Sequence, residues 1–276
     1  MSQAKNTEKD ALGTRMKDQY ENRTRYCLPR RTYAIIRADV KAWHTYTRGL
    51  VKPFDADLIT DLDASIVSTL PHIQGAVFAY TQSDEISILL TDFESIQTSA
   101  WFDNNIQKMT SVTASILTAE FNRCRFRTST SKNKSPLWDM ESIPPAYFDA
   151  RVFTIPDRVE VMNYFLWRQL DCVRNSVSAV AQANFSHKEL QGKSTTEMHE
   201  MLHVKGVNWA TDFTDREKNG ALVVKKPYQD TISVPDVANF KVIPRVVERT
   251  KWVAIGTYKF TEGKDCLLSL IPSYPE

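Results

Sequence analysis

The chain lacks paired CxxC motifs, a surplus of charge of either sign, and any long apolar run. Its four cysteines, Cys27, Cys124, Cys172 and Cys266, lie far apart. That spacing excludes a zinc ribbon, and in 276 residues it makes no disulfide framework. Against 35 basic residues stand 33 acidic ones, a net charge of +2. Such a balance does not announce a polyanion binder, although a basic face can sit on a neutral whole. No stretch approaches the ~20 apolar residues that a bilayer span requires. The polar opening MSQAKNTEKDALGTRMKDQYENRTR has no secretion-signal core. The expectation is a reduced, soluble, cytoplasmic protein with no membrane partner. No internal repeat is present.

What remains is ordinary globular composition, 42% hydrophobic and 25% charged, in a chain long enough to bury a core. Residues 1–31 read as a polar lead-in with a short helix. Thr32–Asp39 (TYAIIRAD) is β-branched and apolar, a buried strand that ends on a carboxylate. Phe54, Leu58, Leu62, Ile66 and Leu70 are spaced as one helix face. Gly75–Tyr80 and Ile86–Leu90 flank the polar TQSDE, predicting a hairpin. A long helix is expected over Ile96–Asn122, then a Ser/Lys/Pro-rich loop. Tyr147–Ile155 reads as a strand, and Pro156-Asp157 opens a helix running to about Ala183. This βαββαβ order predicts an α+β, ferredoxin-like sheet over residues 32–183. The segment 184–276 is expected to form a smaller region of helices near 187–204 and β-runs at Ala221–Lys225, Phe240–Val247 and Trp252–Thr257.

In such a sheet the first strand neighbours the following hairpin, so Asp39 and Asp84 would meet at one edge. Carboxylates brought together repel unless a cation neutralises them, which is how such pairs hold Mg²⁺. Two Mg²⁺ ions can serve phosphoryl transfer, the geometry of palm-type polymerases and nucleotidyl cyclases. Equally, Asp39 can be a plain strand terminator and Gln82-Ser83-Asp84-Glu85 a plain polar turn.

Longer strings discriminate. R-A-D-V-K-A-W-H (Arg37–His44), K-P-F-D (Lys52–Asp55), F-A-Y-T-Q-S-D-E-I-S (Phe78–Ser87), Q-K-M-T-S-V (Gln107–Val112), F-D-A-R-V-F (Phe148–Phe153) and N-Y-F-L-W-R-Q-L-D-C-V-R-N-S (Asn163–Ser176) resemble, in order, the signatures of the tRNA-histidine guanylyltransferase family. The resemblance implies a polymerase-like palm that adds nucleotides to a tRNA 5′ end in the 3′-to-5′ direction. ATP or GTP would first activate the end. It implies two Mg²⁺ ions on Asp39, Asp84 and the Val40 carbonyl, with Glu85 in support. Nucleotide and phosphate contacts are implied for Arg37, Lys41, Ala42, Trp43, His44, Lys52, Ser83, Lys108 and Arg151. RNA contacts are implied along one helix, at Asn163, Arg168, Asp171, Arg174 and Asn175. A homotetramer is also implied. The family usually has Asp-Gly where this chain has Asp39-Val40. Members dedicated to histidine tRNA carry H-I-N-N-L-Y-N-T where Cys172–Val180 reads CVRNSVSAV. That departure resembles the bacterial and archaeal branch, for which repair of truncated tRNA 5′ ends is the expected activity.

Rival motifs are present. His199-Glu200-Met201-Leu202-His203 is a literal HExxH, but Trp209 stands where the longer metzincin pattern wants histidine. Gly192-Lys193-Ser194 lacks the upstream glycine of a phosphate loop and reads as a helix start, with Glu197 completing a capping box. Trp101, Trp138, Trp167 and Trp209 are core residues or base-stacking platforms. Arg123, Arg125, Arg127, Lys132 and Lys134 read as a basic loop, solvated or facing a phosphate backbone.

Overall fold

Alternation along β1 (Tyr33–Val40) decides how the molecule is layered. Ala34, Ile36, Ala38 and Val40 join one apolar core with Leu58, Leu62 and Ile66 of the helix Ala56–Thr69 and Met109, Leu117 and Phe121 of the helix Ile106–Ser131. Tyr33 and Ile35 turn to the opposite face and pack with Val161, Phe165 and Cys172 of the helix Arg158–Asn184. One strand thus serves two cores.

The computed structural model describes residues 2–131, 144–236 and 241–275. Its elements are α1 (Ser2–Gln19), β1, α2 (Trp43–Tyr46), α3 (Ala56–Thr69), β2 (Ala76–Gln82), β3 (Glu85–Leu90), α4 (Ile106–Ser131), β4 (Phe148–Ile155) and α5 (Arg158–Asn184). There follow α6 (His187–Leu190), α7 (Thr195–Val204), α8 (Trp209–Asp212), α9 (Asp215–Asn219), β5 (Ala221–Asp236), β6 (Lys241–Gly256) and α10 (Lys264–Leu270). The strand order is β4-β1-β3-β2-β5-β6, antiparallel throughout. Its first four strands are the expected ferredoxin-like arrangement, in which β3 inserts between β1 and β2.

Caps place the helix starts. Asp55 accepts the Leu58 N–H at 2.9 Å, and Asp157 accepts those of Val159 and Glu160. The helix expected over Ile96–Asn122 is displaced to Ile106–Ser131. Phe102, Asp103 and Asn104 take left-handed φ values of 50, 57 and 56°, which no right-handed helix tolerates. At the other end Arg125 and Thr128 both bind Asp61 of α3, carrying the helix past Asn122. Arg123, Arg125 and Arg127 are therefore helical rather than in a loop; Lys132, Lys134 and Trp138 lie outside the described residues.

The C-terminal β-runs extend the same sheet. β5 pairs with β2 from Phe78↔Val224 to Thr81↔Ala221. Gly220 makes this approach possible: at φ +79° a Cβ there would lie 2.5 Å from the Thr81 carbonyl oxygen. Past Val224, β5 pairs with β6 alone, out to Asp236↔Lys241. Phe240, the expected start of one run, lies outside the described residues. No helix among the described residues is long and apolar enough to cross a membrane.

Candidate active site

The end of β1 and the start of β3 meet at one edge of the sheet. Asp39 pairs with Glu85 on β3 and with Asp149 on β4. One step inward on the same face, Arg37 pairs with Ser87 and with Arg151. A row of acids therefore lies against a row that carries arginines, on the face covered by α5. Gln82↔Glu85 is the last pair of the β2–β3 hairpin, so Ser83 and Asp84 form a two-residue turn. Ser83 has φ +47°, the left-handed conformation that tight hairpins place at their first central position.

The acids at this edge have different partners. Asp39 Oδ2 accepts from Arg151 Nη2 at 3.0 Å, and the same nitrogen lies 3.5 Å from Asp149. Glu85 turns towards α5: its Oε1 accepts from the buried Arg168 Nε at 2.6 Å, and Arg37 Nε lies 3.9 Å from Oε2. Arg168 also donates to Asp171 at 2.7 Å, and Arg174 bonds the other Asp171 oxygen. Asp84 has no ion-pair partner among the described residues. Burial pushes its carboxyl up to about 6; Ser83 and the Asp84 backbone oppose the rise by hydrogen bonding, while the Asp39 and Glu85 charges add to it. The turn thus holds a carboxylate short of positive charge.

Val40 follows Asp39 with its side chain buried in the α3–α4 core. A bulky residue fits where the family usually has glycine because this position is ordinary strand; the left-handed turn comes two residues later, at Ala42 (φ +55°). Between them Lys41 donates its N–H to the Tyr147 carbonyl at 2.8 Å. No group of three or more His, Cys, Asp or Glu side chains able to hold a metal occurs among the described residues. A cation at this edge would depend on two carboxylates, a backbone carbonyl and oxygens brought by substrate.

Beside the hairpin tip opens a cavity of about 270 Å³. The α2–α3 segment supplies an apolar wall that includes Trp43, Leu50, Phe54 and Leu58, with His44 and Lys52 at exposed positions. Gln82 and Ser83, Cys172, Asn175 and Ser176 of α5, and Arg216 of α9 supply a polar wall. Of these, Trp43, His44, Lys52, Ser83 and Asn175 are residues that the motifs single out. Gln82, Cys172 and Ser176 lie within the quoted strings without an expected role, and Arg216 lies outside them. Gln82 is 2% exposed and its Oε1 has no hydrogen-bond partner, yet in sequence it looks like any polar turn residue. Arg216 grips Asp63 through both Nε and Nη2 from a stretch without motif signal, so sequence offered nothing to find it by.

Other expected residues lie elsewhere. Lys108 stands in the first turn of α4 with its Nζ 5.7 Å from the Phe102 ring. It is Thr118 and Asn122 that bond Phe148 and Ala146 at the site end of β4. At ~1.5 Å rise per residue, Lys108 is roughly 15 Å further down the helix, and one chain does not bring it to the carboxylates. Asn163 is exposed and bonded to Glu160, on the same outer face of α5 as Trp167 and Arg174. Trp167 is half exposed, with the Arg168 guanidinium 4.3 Å from its ring, whereas Trp101 is buried in the core.

The rival motifs resolve structurally. His199 meets the edge of Trp209, the residue at the would-be third-ligand position, and Trp209 donates to Ser176 Oγ at 2.9 Å. Ser194 and Glu197 form the expected capping box of α7.

Known proteins share this fold. The family model for tRNAHis guanylyltransferase matches residues 13–156, which include Asp39, Asp84, Glu85 and Arg151. The chain belongs to the tRNAHis guanylyltransferase family. It is therefore a nucleotidyltransferase of the group that adds nucleotides to tRNA. A solved bacterial tRNA(His) guanylyltransferase-like protein in complex with ATP is 35% identical, with a TM-score of 0.77 over 95% of this chain and 99% of its own. One in complex with GTP is 34% identical, with a TM-score of 0.73. The tRNA(His) guanylyltransferase of Schizosaccharomyces pombe is 25% identical over 222 residues, 76% of this chain and 78% of that protein.

Proposed function

We propose that the protein extends truncated tRNA at the 5′ end, templated by the opposite strand of the acceptor stem, with ATP or GTP activating the end. The arrangement that carries this reading is the half-buried, cation-poor Asp84 turn beside Asp39, with an apolar-walled cavity opening next to it. The relatives described in complex with ATP and GTP support a nucleotide in such a cavity.

The residues present fit two Mg²⁺ ions, since Asp39, Asp84 and the Val40 carbonyl offer hard oxygens and the turn lacks compensating charge. Bound there, the ions would activate an attacking oxygen and stabilise a leaving one. The chain's own groups do the rest. The apolar wall at Trp43 takes the base, and the unpartnered Gln82 amide oxygen offers an acceptor. Lys52 and Arg151 supply positive charge to phosphate groups, Arg with its planar fork. Arg168 holds Glu85 away from the turn, so that Asp84 remains free for the cation.

In the activation step the RNA 5′-monophosphate attacks the α-phosphorus of the triphosphate and pyrophosphate departs. In the addition step the 3′-hydroxyl of the incoming nucleotide attacks the 5′ phosphorus and the activating group leaves. Asp171, Arg174 and Asn175 follow one another on α5 beside this edge, the basis for reading that helix as the RNA path, whereas Arg168, expected among the RNA contacts, is buried and tied to Glu85 and Asp171. Resemblance to the family supports a homotetramer. The test is incubation with a tRNA lacking its first nucleotide, labelled nucleoside triphosphates and Mg²⁺. Templated 5′ extension, absent in Asp84→Ala, is expected; extension that survives the substitution places the chemistry elsewhere.

A further inference from the structure

Asp61 on α3 is 4% exposed, and both its oxygens are taken from α4. Arg125 Nη1 donates to Oδ2 at 2.7 Å, and Thr128 Oγ1 donates to Oδ1 at 2.6 Å. The same guanidinium interacts with the phenol of Tyr46, on α2. The Tyr46 ring lies 5.8 Å from Phe121, one turn before Arg125, and stacks on Trp43 at 5.7 Å with the planes 11° apart. Trp43 lines the cavity. A continuous chain of contacts therefore runs from a buried carboxylate between two helices to one wall of the cavity.

That wall needs an external support. α2 is a four-residue turn entered through the left-handed Ala42 and contains no buried residue. A single turn does not hold its own shape in water, because nucleation costs more than one turn returns. Its side chains must be fixed from outside, and a guanidinium locked by a buried carboxylate is a rigid fixing point.

We propose that Arg125 is a positioning residue for nucleotide binding: anchored by Asp61, it sets the Tyr46–Trp43 stack as the wall on which the purine of the activating triphosphate lies. The proposal rests on the reading that the cavity takes a nucleoside triphosphate. A purely structural Arg125 would brace α3 against α4 and leave nucleotide affinity alone.

The experiment measures the Kd of ATP by calorimetry, the KM and kcat for 5′-end activation, and Tm. The proteins are wild type, Trp43→Leu, Tyr46→Leu, Arg125→Lys, Arg125→Met and the double variant Arg125→Met/Trp43→Leu. Arg125→Met and Trp43→Leu are each expected to raise Kd and KM about tenfold, the scale of one base–aromatic stack, with little change in kcat at saturating ATP. The double variant should be no weaker than Trp43→Leu, because both changes remove one platform. Arg125→Lys should restore part of the affinity. Should Arg125→Met not fold, Tyr46→Leu carries the same expectation. An Arg125→Met that lowers Tm while ATP affinity stays at the wild-type value overturns the proposal, as do losses that multiply in the double variant. If wild type does not bind ATP, it is the reading of the cavity that fails; if wild type binds and the variants bind equally well, only the role of Arg125 fails.

Discussion

Asp39 stands directly across the β1–β3 ladder from Glu85, and Asp84 lies one residue beyond, in the turn. The pairing divides the labour among three acids. Glu85 is tied to Arg168 and Asp39 to Arg151, while Asp84 has no cationic partner among the described residues. A turn that presents an ionised, half-buried carboxylate towards another acid is costly for the isolated fold, and such cost is common where a charged ligand is awaited.

Asp84→Asn removes that charge without changing the side chain's shape. At pH 7.5 in chelator the variant should melt above wild type, because burial and neighbouring acids disfavour the ionised form that it replaces. Nucleotide addition should fall by about 10³-fold or more, the scale of losing a charge-stabilising group in a catalytic site. A thermal melt and a single-turnover extension assay check both; an Asn variant that is less stable yet active contradicts the account.

Arg168 has 7% side-chain exposure and serves Glu85 and Asp171 at once. Truncation to alanine leaves two acids without their cation and should cost about 3–5 kcal/mol in urea denaturation. Lysine should recover only part of this, since it lacks the fork that reaches both carboxylates. Arg174 is exposed, and Arg174→Ala should change stability by no more than about 0.5 kcal/mol. Equal effects at the two arginines would show that the buried pair has been misjudged.

Thiol chemistry reports on packing. Cys27 and Cys266 are exposed, Cys124 and Cys172 buried. Burial pushes both buried thiols up, Cys172 to about 11, so few are thiolate at pH 8. Titration with a disulfide reagent should give two fast equivalents from the native protein and four after unfolding. A fast third equivalent would mean that the cavity wall at Cys172 opens readily.

The HExxH string is expected to be chemically silent. His203 is exposed and His199 packs against Trp209, so Glu200→Gln and His203→Ala should leave 5′ extension unchanged. A zinc-selective chelator should have no effect either. Loss of activity under either treatment would revive a zinc role.

Much of the palm was legible because local signals agree: the alternation in β1, the apolar spacing of α3, the Pro156-Asp157 helix start and the hairpin turn each mark their element without tertiary help. The start of α4 was not legible, since three successive left-handed residues at Phe102–Asn104 carry no glycine to announce them. Its end depended on Asp61, a partner 64 residues from Arg125. In the candidate site, motif residues were visible but their alliances were not. Nothing in the sequence says that Glu85 turns to Arg168, that Lys108 sits at the far end of its helix, or that Gln82 and Arg216 help to line the cavity.

The most direct test of the central claim is anomalous diffraction from crystals of the protein soaked with Mn²⁺ and a non-hydrolysable ATP analogue. Two peaks bridging Asp39, Asp84 and the nucleotide phosphates are expected, both absent in Asp84→Asn. Peaks that leave these carboxylates bare, or carboxylate oxygens pointing apart with the nucleotide bound elsewhere, would contradict it.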